Sequence, residues 1–356
     1  MRLWDERVRG MIFPFTAIVG QDQMKLGLIL NVIDPTIGGL LIMGEKGTGK
    51  STAVRALADL LPEIAVSRGC AFNCDPDGKN LCTSCVEKAS PGGPLESETK
   101  KMKVIELPLG ITEDRLVGTL DIEHALKHGA KRFEPGILAD ANRNFLYVDE
   151  VNLLEDHIID LLLDSAAMGR NFVEREGVSF THPARFILVG TMNPEEGDLR
   201  PQLLDRFGLC VYVRSIRERE PRMEILRRRF EFDADAAGFL EKVEADQRSL
   251  SERIVRARRN LQDIKMPDEI LEKVVAVTSA VHVDGHRSDI VILRGARALA
   301  ALKGRERIET EDIKDIVRPA LNHRLKRAPF EEIGSGAGKM EAVIEQLGRS
   351  DGAATS

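Results

Sequence analysis

The chain has 356 residues and a formal net charge of -6, and 43% of its residues are hydrophobic while 30% are charged. This length predicts about two domains and excludes a small disulfide-stapled scaffold, and the composition excludes a wholly disordered chain. The acidic excess lies in the first 215 residues, and the rest is nearly neutral. Neither part carries the positive charge typical of a protein that binds nucleic-acid phosphates.

The N-terminus and the hydropathy pattern indicate a cytoplasmic protein. Five of the first nine residues are charged, and the apolar core of a signal peptide does not follow them. No run of 18 apolar residues, as a membrane span requires, occurs in the sequence. Aromatic residues make up only 4% of the chain, which argues against stacking platforms for single-stranded nucleic acid. We therefore expect neither membrane insertion nor a nucleic-acid partner.

Apolar runs alternate with helical periodicity in the N-terminal part. Residues 39–43 form a short apolar run, and a helical pattern follows over 52–61. Two further apolar runs, 145–148 and 186–189, flank a helical pattern over 153–167. Alternation of this kind predicts an α/β fold with a parallel sheet, whose strands are buried on both faces.

The pattern changes beyond residue 215, where one helix follows another. Helical periodicity covers 252–264, 268–283 and 289–303, and Thr310 is predicted as the N-cap of a further helix. A Gly-Ser-Gly stretch then begins a loosely held segment. We therefore predict an α/β domain, a helical lid domain and a flexible tail. They comprise residues 1–215, 216–333 and 334–356.

Two segments interrupt the predicted α/β domain. Residues 67–103 are rich in Gly, Pro, Cys, Lys and Ser and lack periodicity, which predicts an irregular insertion. Residues 171–181 are predicted to form a β-hairpin that turns near Glu176 and Gly177.

The segment from Gly44 to Ser51 matches the phosphate-loop pattern G-x-x-x-x-G-K-[ST] at every fixed position. It follows an apolar strand and opens a helix, which is the context that this loop requires. Its backbone N–H groups can cradle phosphates, Lys50 can reach the β- and γ-oxygens of ATP, and Ser51 can ligate Mg²⁺. The predicted nucleotide-binding residues are Gly44, Glu45, Lys46, Gly47, Thr48, Gly49, Lys50 and Ser51.

An acidic pair ends the apolar run 145–148. Asp149 can lie near the Mg²⁺ of the nucleotide, and Glu150 can polarise an attacking water, as ATP hydrolysis requires. A solvated strand end would give the same string, so the motif alone is weak. Its position about one hundred residues after the phosphate loop favours the catalytic interpretation.

Two later residues complete the candidate ATPase site. Asn193 follows the third apolar run and can orient the water or sense the γ-phosphate, although the adjacent Pro194 also suits a turn-capping Asn. Arg206 lies at the edge of the α/β part. An arginine there is either a surface charge or a residue presented to the γ-phosphate of a neighbouring subunit.

These elements, in this order and before a helical domain, resemble the AAA+ ATPases. Further strings resemble the small ATPase subunit of magnesium chelatases, lettered I, from about residue 15 to residue 338, and they are specific well beyond the generic nucleotide motifs. The strings are LPLGITEDR at 107–115, FEPG at 133–136, YVDEVNLL at 147–154, VEREG at 173–177 and TMNPEEG at 191–197.

The resemblance implies a homo-oligomeric AAA+ ring whose ATP cycle drives Mg²⁺ insertion into protoporphyrin IX for (bacterio)chlorophyll synthesis. The porphyrin is then held on a separate large subunit, lettered H, and a second AAA+-like subunit, lettered D, assembles with the ring. The sequence contains seven histidines, but they form no spacing that demands a metal, so we place the insertion chemistry on a partner.

The family pattern also implies roles for individual residues. Arg206 matches the arginine finger and Asn193 matches sensor 1. Arg294 matches sensor 2, with Arg297 and Arg287 as nearby alternatives. The family's insertions correspond to roughly 107–133 and 171–181, where we expect pore or partner contacts.

Three other functions fit parts of the sequence. A cobaltochelatase motor, or that of another tetrapyrrole chelatase, would share this architecture. A nucleic-acid motor is supported only by basic clusters at 227–229, 256–259 and 324–327, whose interspersed acidic residues favour solvated or inter-subunit faces. A non-motor remodelling chaperone is a further alternative, because the insertions alone do not exclude it.

Four of the five cysteines form the pattern Cys70-x3-Cys74-x7-Cys82-x2-Cys85, which is not part of the family's ATPase pattern. Four thiolates at short spacing suit a tetrahedral Zn²⁺ or an iron–sulfur cluster, and redox-active thiols are the alternative. The fifth, Cys210, lies in an apolar run and is expected to be a small buried hydrophobe.

Overall fold

The computed structural model describes residues 11–89, 94–121, 132–175, 178–197, 199–283 and 285–325. Its strands are β1 (Leu40–Gly44), β2 (Ile64–Ser67), β3 (Ser97–Lys100), β4 (Val104–Glu106), β5 (Gly118–Asp121), β6 (Arg132–Pro135), β7 (Phe145–Val148), β8 (Arg170–Arg175), β9 (Val178–Pro183), β10 (Ile187–Met192) and β11 (Leu209–Val213). Its α-helices are α1 (Asp22–Ile33), α2 (Lys50–Leu60), α3 (Thr83–Ala89), α4 (Glu113–Val117), α5 (Ile137–Ala141), α6 (Asp156–Met168), α7 (Pro201–Leu204), α8 (Arg219–Ala234), α9 (Ala236–Asn260), α10 (Asp268–Ala280), α11 (Arg287–Leu302) and α12 (Thr310–Leu321).

Five parallel strands form the central sheet, in the order β11-β1-β10-β7-β4. The α/β class and the parallel sheet that the alternating pattern predicts are confirmed. Strand β1 pairs with both β10 and β11, and β10 pairs with β7. The loops that follow β1, β10 and β7 therefore lie side by side at the carboxyl edge of the sheet. Ligands of open α/β sheets bind at this carboxyl edge.

Both faces of the sheet are buried, and successive residues of a strand face opposite sides. In β1, Leu40 and Ile42 belong to one apolar cluster, whereas Leu41 and Met43 belong to the other. The first cluster also contains residues of α1, α2 and the C-terminal helices, so the helical region packs on the same side of the sheet as the phosphate-loop helix. Burial on two faces explains why these strands read as continuous apolar runs.

The C-terminal helices follow β11, which ends at Val213. The predicted domain boundary at 215 lies between this strand and α8, and it stays a prediction, as does the tail at 334–356, which lies outside the described residues. Helix α9 spans 25 residues and begins well before the predicted segment 252–264. No helix in the described ranges combines the length and apolar content that a membrane span requires.

The prediction that Thr310 caps a helix is wrong by one residue. Helix α12 begins at Thr310, and Glu309 is its N-cap, in a capping box with Asp312, whose carboxylate accepts from the backbone N–H of Glu309 at 3.1 Å. The hydroxyl of Thr310 instead accepts a hydrogen bond from Lys273 at 2.8 Å. A longer carboxylate therefore takes the capping role that the threonine would otherwise fill.

The segment 67–103, predicted to be irregular, contains regular structure. Strands β2 and β3 pair in antiparallel fashion and close its base, and α3 lies between them. An antiparallel pair, β8 and β9, occupies the predicted hairpin, although its turn at 176–177 lies outside the described residues. The insertion predicted at 107–133 includes α4 and the ribbon of β5 and β6, and its residues 122–131 lie outside the described ranges.

Candidate nucleotide-binding site

The phosphate loop connects β1 to α2 in a shape that depends on glycine. Gly47 and Gly49 have φ angles of 77° and 81°, in the left-handed region that glycine adopts without strain. Gly49 is the N-cap of α2 and supplies no side-chain cap, so the first N–H groups of the helix are left for an anion. Lys50 Nζ donates to the carbonyl oxygens of Gly44 and Glu45, at 2.7 and 3.2 Å.

The loop forms one wall of a cleft of about 390 Å³ at the carboxyl edge of the sheet. Asp149 and Glu150, after β7, and Asn193, after β10, line the same cleft. The structure thus brings the predicted loop, acidic pair and polar strand end together, in a volume that suits a nucleotide. The other lining residues are Lys46, Gly47, Thr48, Gly49, Lys50, Ser51, Thr52, Tyr147, Thr191 and Met192.

Gly44 and Glu45, also predicted to contact the nucleotide, do not line the cleft. A Cβ at Gly44 would lie 2.0 Å from the carbonyl oxygen of Val213, so this position needs glycine because two strands approach closely. The carboxylate of Glu45 accepts a hydrogen bond from the Ser215 hydroxyl, which holds it away from the cleft. Both residues therefore fix the base of the loop rather than its phosphate-facing side.

Thr191 joins the two acidic residues, a role that sequence reasoning missed. Its hydroxyl donates to Asp149 Oδ1 at 2.5 Å and accepts from the backbone N–H of Glu150 at 3.1 Å. Tyr147 also donates to Asp149 Oδ1, at 3.1 Å. Glu150 itself has a φ of 51°, a strained conformation for a non-glycine residue and one that clusters at functional sites. The only sequence signal was a polar residue near the end of a buried strand.

We expect Thr191→Val to lower the kcat for ATP hydrolysis roughly tenfold to a hundredfold, because valine keeps the shape but loses a hydrogen bond to a carboxylate. The nucleotide Kd should change little, since the phosphate loop is untouched. Steady-state kinetics and nucleotide titration measure the two quantities. Thr191→Ser is the matched control and should retain turnover, and a valine variant with the parent kcat would contradict the assigned role.

Lys46 bridges two carboxylates at the mouth of the cleft. Its ammonium lies 2.7 Å from Glu196 and 3.0 Å from Glu150, and these two partners raise the pKa of Lys46 well above its usual range. The Lys46 side chain is 64% exposed, and exposed ion pairs contribute little to stability because water screens them. The lysine can therefore exchange a carboxylate for a phosphate at little cost.

Asn193 caps a turn and also lines the cleft, so its role towards the γ-phosphate stays a prediction. Its side-chain oxygen accepts from the backbone N–H of Glu195 at 3.3 Å and so caps a short 3-10 turn, Pro194–Glu196. The same residue lines the cleft, after the strand that pairs with β1. Capping thus fixes the residue that faces the nucleotide site.

The predicted arginines lie away from the cleft of their own chain. Arg206 pairs with Asp164 at 2.7 Å and Asp160 at 3.1 Å, both on α6. Arg294 donates to the carbonyl oxygen of Thr36, in the turn that precedes β1. Among the described residues that line the cleft, none comes from the helical region.

The two alternatives for Arg294 also contact the α/β part elsewhere. Arg297 lies 3.5 Å from the buried carboxylate of Asp34, and Arg287 lies 3.6 Å from the carboxylate of Asp205. Arg297 and Arg294 therefore both hold the turn before β1. The choice of sensor 2 among the three arginines stays a prediction.

Comparison with known proteins finds matches over most of the chain. A family model of magnesium chelatase, subunit ChlI, matches residues 121–202, and an AAA lid model matches residues 271–346. The chain is 56% identical over 336 residues to the magnesium-chelatase subunit ChlI homolog of Methanocaldococcus jannaschii, covering 94% of this chain and 92% of the relative. It is 52% identical over 340 residues to the magnesium-chelatase subunit ChlI of a Nostoc species, covering 95% and 91%.

The chain belongs to the ChlI family of magnesium-chelatase subunits. A chain from the complex between subunits BchI and BchD of magnesium chelatase is 48% identical, with a TM-score of 0.53 over 94% of this chain and 99% of that chain. A putative ATPase from Cytophaga hutchinsonii has a TM-score of 0.59 over 97% of this chain and 94% of its own, at 17% identity, which shows the fold alone. The AAA+ fold and the ATPase motor class that the motifs implied are confirmed.

Within this ChlI-family chain, Arg324 holds the loop that carries Arg206. The side chain of Arg324 is only 1% exposed, and it donates to the Asp205 carboxylate at 3.0 Å and to the carbonyl oxygens of Phe207 and Gly208, at 2.6 and 3.1 Å. The expectation that its basic cluster forms a solvated or inter-subunit face is therefore wrong for Arg324. The guanidinium of Arg324 has several N–H donors, and carbonyl oxygens more than one hundred residues earlier in the chain accept from them.

A neighbouring histidine completes this anchor. His323 Nε2 donates to the Phe207 carbonyl oxygen at 3.0 Å, and burial, followed by the charge of Arg324, lowers the pKa of His323 to about 3. The imidazole is therefore neutral at pH 7.

Cluster 227–229 is mixed. Arg229 is 57% exposed and pairs with Asp233 on its own helix, as expected for a solvated face. Arg228 pairs with Glu224 and also donates to the Ala17 carbonyl oxygen at 3.0 Å.

We expect Arg324→Met to lower the free energy of unfolding by roughly 3 kcal/mol, because several loop carbonyls lose a charged donor. Chemical denaturation measures this change. Arg248→Met is the matched control, since Arg248 is 68% exposed and pairs with Glu244 one helical turn away. The control should alter stability by no more than about 0.5 kcal/mol, and an equal loss in both variants would contradict the anchoring role.

Proposed function

We propose that this ATPase drives Mg²⁺ insertion into protoporphyrin IX on a separate large subunit, as a step of (bacterio)chlorophyll synthesis. The observation that carries the proposal is the cleft in which a ChlI-family phosphate loop, Asp149, Glu150 and Asn193 meet. Bound ATP with its own Mg²⁺ supplies a transferable γ-phosphoryl group whose charge the metal helps to neutralise.

Each residue of the cleft then has a defined task. The N–H groups of the loop and Lys50 hold the phosphates, and Ser51 and Asp149 offer the oxygen ligands that Mg²⁺ prefers. Glu150 accepts the proton of the attacking water, and Thr191 orients the backbone that carries it. Asn193 faces the γ-phosphate as sensor 1. The fit rests on the donor set, since hydroxyl, carboxylate and ammonium groups all line one cleft.

The proposed working form is a homo-oligomeric ring, in which Arg206 serves the cleft of a neighbouring subunit. Arg206 does not reach its own cleft and is instead paired with two carboxylates of α6, and Arg324 fixes its loop. In the ring, Arg206 leaves these carboxylates and contacts the γ-phosphate bound in the cleft of the neighbouring subunit. Arg294 reports nucleotide to the lid as sensor 2.

The second AAA+-like subunit of the chelatase, lettered D, is the proposed co-assembly partner, and the large subunit, lettered H, is the proposed holder of the porphyrin. The support for the first is the similarity to a chain from the complex of BchI with BchD. Insertion is placed on the large subunit for a second reason. Among the described residues, one group of three or more side chains could bind a metal, and it is a buried cysteine cluster outside the cleft. A cytoplasmic location remains a prediction.

Reconstitution tests this function. The purified chain, the second AAA+-like subunit and the large subunit are mixed with a porphyrin, ATP and Mg²⁺, and metalloporphyrin formation is followed by absorbance with and without this chain. We expect insertion only when the chain is present. A parallel arm with Co²⁺ distinguishes the cobaltochelatase alternative, which predicts insertion of that metal instead. Insertion that does not depend on this chain would contradict both functions.

A further inference from the structure

Four cysteines of the insertion between β2 and β3 meet at one point in space. Cys70, Cys74, Cys82 and Cys85 are all buried, and their sulfur atoms all lie within 4.8 Å of one another. They are free thiols, since none is joined in a disulfide. The ATPase mechanism uses none of them, because all four lie outside the nucleotide cleft.

The sulfur spacing fits one metal ion. Zn–S bonds of about 2.3 Å place two sulfur atoms of a tetrahedral site about 3.8 Å apart, and Cys70 Sγ lies 3.8 Å from Cys82 Sγ. A disulfide would require about 2 Å. An iron–sulfur cluster places several irons and sulfides between its cysteines, so it needs wider separations than these four sulfurs have. Of the two metal groups that the sequence left open, the geometry selects the single ion.

The surrounding backbone favours thiolates. Phe72 N–H donates to Cys70 Sγ at 3.3 Å, and Cys82 N–H donates to Cys74 Sγ at 3.2 Å. Such donors stabilise the negative sulfur that a metal requires. The cysteines also form two pairs with three and two intervening residues, within the ligand spacing typical of structural zinc sites.

We propose that the four cysteines bind a single Zn²⁺ that braces the insertion against the ATPase core. Each thiol releases its proton to solvent as its sulfur binds the ion, so no oxidant or reductant takes part. A bound ion would stabilise the insertion, because the insertion has almost no hydrophobic core of its own. Among its described residues from 68 to 96, Phe72 is the only buried apolar side chain besides the cysteines.

The insertion contacts the hairpin of β8 and β9 and the segment that follows α5. The Phe72 ring stacks on His182 of β9 with centroids 4.8 Å apart, and Asn142 Nδ2 donates to the Phe72 carbonyl oxygen at 2.6 Å. Asn80 Nδ2 donates to the Gly169 carbonyl oxygen, just before β8, at 3.0 Å. Loss of the ion therefore frees the insertion and one face of this hairpin, whereas the nucleotide cleft keeps its own supports.

Elemental analysis of the purified full chain tests the proposal. We expect about one zinc per chain, and close to none in the double variant Cys82→Ser, Cys85→Ser. Cys210→Ala is the matched control, because Cys210 is buried in β11 and is not one of the four clustered cysteines, and it should keep the zinc. Metal-free parent protein that is folded, or protein carrying iron with acid-labile sulfide, would overturn the proposal.

A second measurement covers the case in which the serine variant fails to fold. Co²⁺ added to zinc-stripped parent chain should give the intense visible absorption of a tetrahedral four-thiolate site, saturating at one cobalt per chain. Hydrogen exchange should rise on stripping in residues 70–89 and in β9, but not in α2, with ATP binding unchanged. A Cys70–Cys82 disulfide in the parent chain, or cobalt spectra without thiolate bands, would overturn the proposal in favour of redox-active thiols.

Discussion

Glu150→Gln should retain ATP binding and lose ATP hydrolysis, with kcat lowered by roughly 10²- to 10⁴-fold. Glutamine has the size of glutamate, so the cleft keeps its shape, and the backbone N–H at this position still donates to Thr191. What disappears is the carboxylate that accepts the proton of the attacking water. Nucleotide Kd by titration and kcat by phosphate release separate binding from turnover.

The matched control for this variant is Glu196→Gln. Both substitutions remove one carboxylate partner of Lys46, which lies 2.7 Å from Glu196 and 3.0 Å from Glu150. Only one of them removes the proposed base, so we expect Glu196→Gln to change kcat by less than about threefold, as befits an exposed ion pair. Equal losses in both variants would assign the effect to the Lys46 bridge, and full turnover by Glu150→Gln would contradict the catalytic role.

Arg206→Ala should lower ATP hydrolysis by roughly 10³- to 10⁵-fold in the assembled ring, the usual contribution of an arginine finger. ATP binding should persist, because Arg206 does not line the cleft of its own chain. Arg200→Ala is the control, since Arg200 lies nearby, is 73% exposed and pairs only with Asp156 among the ion pairs described. It should hydrolyse ATP at the parent rate.

Mixing experiments separate action on a neighbour from action within one chain. Arg206→Ala keeps an intact cleft, and Glu150→Gln keeps an intact finger, so a mixed ring contains competent interfaces that neither variant has alone. At equal amounts and random assembly, we expect recovery to roughly a quarter of the parent rate. Mixed rings that stay as inactive as the separate variants would contradict action between subunits.

The sequence predicts the nucleotide cleft well because its residues follow buried strands. The carboxyl ends of β1, β7 and β10 must meet at one edge of a parallel sheet, so Lys50, Asp149 and Asn193 were expected to be neighbours. Local patterns of this kind need no knowledge of distant contacts. The parallel sheet and the positions of its main strands follow from the same apolar runs.

Contacts between distant segments could not be predicted in this way. Arg324 and Arg229 lie in similar basic clusters, yet Arg324 is buried against a loop far earlier in the chain, whereas Arg229 pairs with a carboxylate on its own helix. Thr191 likewise gains its role from two residues on a neighbouring strand end. For the cysteines, spacing indicated a metal or redox site, but only the distances between sulfur atoms distinguish one ion from a cluster.

The most direct test of the central claim compares metal insertion with and without ATP hydrolysis. The complete chelatase, assembled from this chain and its two proposed partner subunits, receives porphyrin and Mg²⁺ with either ATP or its non-hydrolysable β,γ-imido analogue. We expect metalloporphyrin to form with ATP and not with the analogue, although both occupy the cleft lined by Lys50 and Asp149. Insertion at the same rate with the analogue would contradict a motor powered by this cleft.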